Sequence, residues 1–180
     1  PQFSRYSLST GTWDMASYGS YTSDTAYGSG TVAFDGKIYT GSRRYFNVYD
    51  ADTNVWSSLS APYNTTGMEW EFYNYASGMA WDGDNYIYAT RQSGENSIGR
   101  YNIRANAWQP MPTNFSFGYG HDLVFAQGKL YALRAGYNTA FAVFDPDTMT
   151  WSGLPGVPYP ASFGADMEYP GYGDFIYVAL

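Results

Sequence analysis

Short runs of alternating apolar and polar residues follow one another along this chain, separated by clusters rich in Gly, Asp and Asn. No stretch sustains the 3.6-residue spacing of an amphipathic helix, so the pattern predicts strands throughout. In "GTVAFDGKIYTGS" (Gly30 to Ser42) two alternating runs flank Asp35-Gly36, a pair suited to the positive φ angles of a two-residue hairpin turn. "GMAWDGDNYIYAT" (Gly78 to Thr90) repeats the plan around Asp82 to Asn85, and "HDLVFAQGKLYALR" (His121 to Arg134) around Gln127-Gly128. "ADMEYPGYGDFIYVAL" (Ala165 to Leu180) repeats it with a longer, Gly-rich turn. Each second strand carries an aliphatic residue followed by Tyr: Ile38-Tyr39, Ile87-Tyr88, Leu130-Tyr131 and Ile176-Tyr177.

A second pattern follows the hairpins. "YSLSTGTW" (Tyr6 to Trp13), "YDADTNVW" (Tyr49 to Trp56), "YNIRANAW" (Tyr101 to Trp108) and "FDPDTMTW" (Phe144 to Trp151) each set an aromatic residue seven positions before a Trp, with turn formers between. The Trp residues recur at a near-constant interval, longer only between Trp56 and Trp108. The repeating unit is therefore a hairpin, a connection, a third strand, a turn and a fourth strand that opens at Trp. Four antiparallel strands per unit make a β-propeller blade, so the expected class is all-β, a four-bladed propeller in one domain over residues 1–180. Complete blades are expected at about 27–60, 77–111 and 118–155, with half-blades at 1–17 and 163–180. The N-terminal half holds strands three and four, and the C-terminal half holds strands one and two. Wrapping from Trp151 through Leu180 to Trp13 restores the common interval, which predicts that the halves complete a fourth blade. Phe3, Tyr6, Trp13, Phe175 and Tyr177 are the residues expected to make that joint, either within one chain or between chains.

The Tyr/Phe–Trp motifs and the turn "YDADTNVW" resemble the kelch repeats of β-propellers, especially their bacterial and galactose-oxidase-like branch, across nearly the whole chain. That resemblance implies blades whose first strands line a central channel. Kelch repeats usually carry a Gly pair after the second strand, where this chain reads "TGS", "ATR" and "ALR". The copper chemistry of galactose oxidase needs a Cys-linked Tyr and paired His ligands. This sequence has no Cys and a single His, so no cofactor is expected.

Composition sharpens the partner question. Aromatic residues make up 21% of the chain and charged residues 14%, with a net charge of −7 and only two lysines, Lys37 and Lys129. An acidic, lysine-poor surface argues against nucleic-acid backbones and anionic membranes as partners, because both need clustered cations. No apolar run reaches the length of a membrane-spanning helix. The chain opens at Pro1 without Met, the pattern a cleaved leader leaves, so an extracellular or cell-surface location is expected. The sequons at Asn64 and Asn114, both in connections between units, are the glycosylation candidates for such a setting.

Candidate chemistry is sparse. His121 would have to anchor any nucleophilic site, and no nucleophile elbow accompanies it. "DADTN" (Asp50 to Asn54) and "DGDN" (Asp82 to Asn85) gather oxygen ligands but fall where turns want Asp and Asn, so no metal site is assigned. A ligand-binding face is expected where the long connection Ala61 to Ser77 supplies Glu69, Trp70, Glu71, Tyr73 and Tyr75 beside the loop arginines Arg43, Arg44, Arg91 and Arg134. Three readings follow. The chain is a secreted, non-catalytic assembly module, such as a fibre or surface-layer subunit, with itself as partner. Alternatively it is a glycan-binding propeller using that face, or a carbohydrate-active enzyme using Glu69, Glu71 or Asp122.

Overall fold

The computed structural model describes residues 4–15, 30–42, 45–61, 78–90 and 98–180, and all regular structure among them is β. The N-terminal hairpin joins β1 (Ser4–Ser7) to β2 (Thr12–Met15). Three four-stranded antiparallel meanders follow. The first contains β3 (Gly30–Phe34), β4 (Lys37–Ser42), β5 (Tyr45–Asp50) and β6 (Val55–Ser58). The second contains β7 (Met79–Trp81), β8 (Tyr86–Thr90), β9 (Ile98–Asn102) and β10 (Ala107–Pro110). The third contains β11 (Asp122–Ala126), β12 (Lys129–Leu133), β13 (Phe141–Asp145) and β14 (Thr150–Leu154). A C-terminal hairpin pairs β15 (Asp166–Glu168) with β16 (Tyr177–Ala179).

Turn chemistry decides where these strands fold back. Asp35 and Gly36 have φ of 48° and 68°, and Gln127 and Gly128 have 48° and 79°, the left-handed pair that a tight hairpin turn demands. At the second type of turn, the residue two before each Trp has positive φ: Gly11 at 67°, Asn54 at 58°, Asn106 at 48° and Met149 at 58°. The acidic turn residues act as local caps. Asp50 Oδ1 accepts the Asp52 and Thr53 amides at 3.1 and 3.0 Å, and Asp82 Oδ1 accepts those of Asp84 and Tyr86 at 2.9 and 3.0 Å. Both lysines brace equivalent strand pairs, Lys37 to Asp50 at 2.5 Å and Lys129 to Asp145 at 2.6 Å.

The sheets pack in series. The first strands stand side by side, β7 between β3 and β11, with β15 beyond β11. Apolar clusters fill the seams. Tyr39, Phe46, Met79, Ile87 and Tyr101 join the first sheet to the second, and Tyr88, Ile98, Leu123, Leu130, Phe144 and Trp151 join the second to the third. Leu133, Ala161 and Met167, with Ile176 and Val178, join the third to the C-terminal hairpin. This arrangement of stacked antiparallel sheets is propeller-like. The two terminal hairpins, expected as one sheet, stand as separate two-stranded sheets.

Candidate functional site

The aromatic–Trp motif is a cross-strand pair. Tyr6 faces Trp13, Tyr49 faces Trp56, Tyr101 faces Trp108 and Phe144 faces Trp151 in register, with ring centroids 5.2 to 5.5 Å apart. In the second and third sheets the pair also reaches the preceding sheet. Trp108 Nε1 donates to the Ser60 carbonyl at 2.9 Å, and Trp151 Nε1 to the Pro112 carbonyl at 3.0 Å. Each acceptor lies four residues beyond the Trp of the preceding sheet. Asn106 completes the seam, accepting the Tyr101 hydroxyl at 2.7 Å and the Ser60 amide at 2.9 Å on one oxygen. An indole fills apolar volume while its single donor fixes orientation, which is why Trp serves here.

At the N-terminal hairpin the same pair faces solvent: Trp13 is 73% exposed, against 9% for Trp151. Tyr6 is likewise exposed, whereas Tyr49, Tyr101 and Phe144 are buried. The C-terminal hairpin behaves similarly. Tyr177 occupies the strand position of Tyr39 and Tyr88, both buried, yet is 62% exposed, and Phe175 lies open beside it. Of the residues expected at the joint, four are therefore surface aromatics on two hairpins, and Phe3 lies outside the described residues.

The first strands enclose the second candidate. β3, β7, β11 and β15 all line a cavity of about 480 Å3, with Thr31, Trp81, Asp122, Asp166 and Glu168 among its walls. Asp122 Oδ2 accepts the Met167 amide at 2.7 Å, tying the third sheet to the C-terminal hairpin. Burial pushes the Asp122 carboxyl up to about 6, with Asp166 and Glu168 adding repulsion and the Met167 and Leu123 amides opposing the rise. A raised carboxyl is what a general acid needs, and one oxygen of this group also holds the structural hydrogen bond to Met167. His121 is buried at the preceding seam. Its Nδ1 lies 2.8 Å from the Gly118 carbonyl, which only accepts, so Nδ1 carries the proton and Nε2 accepts from the Thr90 hydroxyl. Burial holds its pKa down at about 4, leaving it neutral. Gly78, at that seam, admits no side chain, since a Cβ would sit 2.9 Å from the Leu123 nitrogen. Among the described residues, no group of three or more His, Asp or Glu is placed to hold a metal ion.

The expected ligand face falls largely outside the described residues: Arg43, Arg44, Asn64, Glu69, Trp70, Glu71, Tyr73, Tyr75 and Arg91. Arg134 is half-buried after β12, and its Nε finds no hydrogen-bond partner among the described residues. Asn114 is exposed between β10 and β11. Sequence reasoning did not single out Ser60, Pro112, Thr90 or Gly78, because none is unusual by type.

No family model matches this sequence, and no curated protein does. Among solved structures, the chain is similar to that described as the structure of YjhT, with a TM-score of 0.63 at 17% identity over 79% of this chain. The chain spans about half the length of that neighbour, 55%. At this identity the likeness bears on the fold alone.

Proposed function

We propose that this chain is a kelch-like β-propeller of four units that works as an extracellular, non-catalytic assembly module. In this reading β1–β2 and β15–β16 together make the fourth unit, and the joint between them is the functional site. The observation that carries it is the exposure of Tyr6, Trp13 and Tyr177 at positions whose counterparts in the complete sheets are buried or half-buried: Tyr49, Tyr101 and Phe144 for Tyr6, Trp56, Trp108 and Trp151 for Trp13, and Tyr39, Tyr88 and Tyr131 for Tyr177. Exposed aromatics beside a strand edge that has no partner strand among the described residues support an interaction surface, because a partner would stabilise both the apolar area and the edge backbone groups. Acidic surface charge and the scarcity of lysine fit a protein partner rather than a polyanion.

Hydrogen–deuterium exchange followed across a concentration series tests this. The amides of Ser4–Ser7 and Tyr177–Ala179 are expected to gain protection together as the joint forms. Fast exchange of both segments at every concentration, with the central strands protected, would show that the hairpins stay unpaired.

A further inference from the structure

Both halves of the joint are preformed, and each fits the other by rules the complete sheets already obey. At the first seam, Tyr39 and Phe46 form a stacked pair (6.2 Å, 29°), and Phe46 receives Tyr101 and Trp108 edge-on at 4.8 and 5.0 Å. The outer face of the third sheet carries the same pair at the same strand positions, Tyr131 and Phe141 (5.9 Å, 22°). Tyr131 and Phe141 remain only half-buried, whereas Tyr39 and Phe46 are buried. The C-terminal hairpin packs against Phe141 through Met167, Ile176 and Val178, and among the described residues no Tyr–Trp pair completes this seat as Tyr101 and Trp108 complete its counterpart. Tyr6 and Trp13 are such a pair, held at 5.3 Å. The indole rule supplies an acceptor as well, the carbonyl of Pro155, four residues beyond Trp151 on an exposed segment.

Strand register adds an independent match. Between second and third strands, Ile38 faces Tyr49, Ile87 faces Tyr101 and Leu130 faces Phe144. The same rule sets Ile176 opposite Tyr6 and Tyr177 opposite Arg5 when β1 adds to the edge of β16 that no strand among the described residues covers. The hairpin that would supply β1 is already docked on its own first sheet, where Arg5 Nη1 donates to the Tyr49 hydroxyl at 3.2 Å. In that docked position Tyr6 and Trp13 are exposed, and among the described residues no aromatic pair of the same chain completes the Tyr131–Phe141 seat.

We propose that the seat takes the N-terminal hairpin of a second copy, so that copies join head to tail through a shared four-stranded sheet. This rests on the assembly reading above and names its partner and register. Each hairpin keeps the contact with its own first sheet, so joining sacrifices no internal contact. The contact is heterologous: repeated, it closes into a ring or extends as a filament according to the angle it sets. Each copy carries a net charge of −7, so added salt screens the repulsion between copies and strengthens the association.

The chain has no cysteine, which makes disulfide trapping clean. Arg5→Cys and Tyr177→Cys are made separately and together, and both positions are exposed. Mild oxidation of an equal mixture of the two single variants is expected to give a mixed dimer containing one of each, while the double variant gives covalent dimers and larger species. An internal disulfide in the double variant, with no mixed dimer from the singles, would overturn the head-to-tail proposal while leaving the fourth-sheet reading intact. No linkage in any sample would remove both. Solution mass of the unaltered protein provides a check without any substitution: it is expected to exceed 20.1 kDa as concentration and salt rise. A constant 20.1 kDa under all conditions would overturn the proposal.

Discussion

Trp151 in the third sheet and Trp13 in the N-terminal hairpin begin from nearly the same local geometry. Each faces an aromatic residue across a strand pair, at 5.2 and 5.3 Å, with a positive-φ residue two positions before it. Trp151 then buries its ring against the second sheet and donates to the Pro112 carbonyl, while Trp13 meets solvent. The pair itself is thus a product of strand register and turn conformation, which neighbouring residues decide. Its burial comes from the sheet next door. A segment can be locally complete and still lack the inter-sheet packing that buries its counterpart, and the proposed assembly contact would supply that packing.

The comparison breaks most visibly under truncation of the two indoles. Trp151→Ala removes a buried ring and a satisfied hydrogen bond, and a loss of about 3–5 kcal/mol is expected in urea unfolding. Trp13→Ala alters an exposed ring, and dilute protein is expected to unfold within about 0.5 kcal/mol of the parent. Equal losses would mean that the hairpin is as integrated as the third sheet.

Acidity probes the seams on either side of the third sheet. His121 has a folded-state pKa of about 4, below its ordinary 6.5, so its contribution is complete above pH 6.5 and is lost as pH falls towards 4. The shift corresponds to about 3 kcal/mol. Asp122 runs the other way: with its pKa raised to about 6, its contribution is full below the ordinary carboxyl range near 3.8 and is lost as pH rises through 6. The two partly cancel between pH 4 and 6. Denaturant midpoints measured over this range are expected to depend only weakly on pH in the parent. In Asp122→Asn they are expected to fall more steeply with acid, and an unchanged slope would remove Asp122 from the account.

A smaller effect is expected at the turn that links two sheets. Asn106→Ala strands the Tyr101 hydroxyl and the Ser60 amide and places a side chain less suited to φ of 48°. Thermal or urea unfolding is expected to register a loss of about 1–3 kcal/mol.

Much of the fold is legible in the chain because its determinants are local. Asp35-Gly36 and Gln127-Gly128 announce hairpins by the φ angles they tolerate, and the seven-residue step from Tyr49 to Trp56 encodes a cross-strand pair around a fixed turn. The seams are less legible. Nothing about Ser60 or Pro112 marks a carbonyl that receives an indole from the next sheet. His121 looks like a catalytic candidate until Thr90 and Gly118, one of them from a neighbouring sheet, are seen to satisfy both ring nitrogens. Asp122 is similar: alternation places it on a first strand, but only the approach of Met167 gives the carboxylate its task. The repeat predicted a joint at Tyr6, Trp13, Phe175 and Tyr177 because it specifies what their counterparts contact; the structure places all four on the surface of two separate hairpins.

Solution mass across a wide dilution series, compared between the parent and Trp13→Ala, tests the central claim most directly. The account predicts that the parent grows beyond 20.1 kDa with concentration, while Trp13→Ala holds at 20.1 kDa and remains folded. Identical mass curves for the two proteins would contradict it, because an exposed Trp13 would then have no partner to lose.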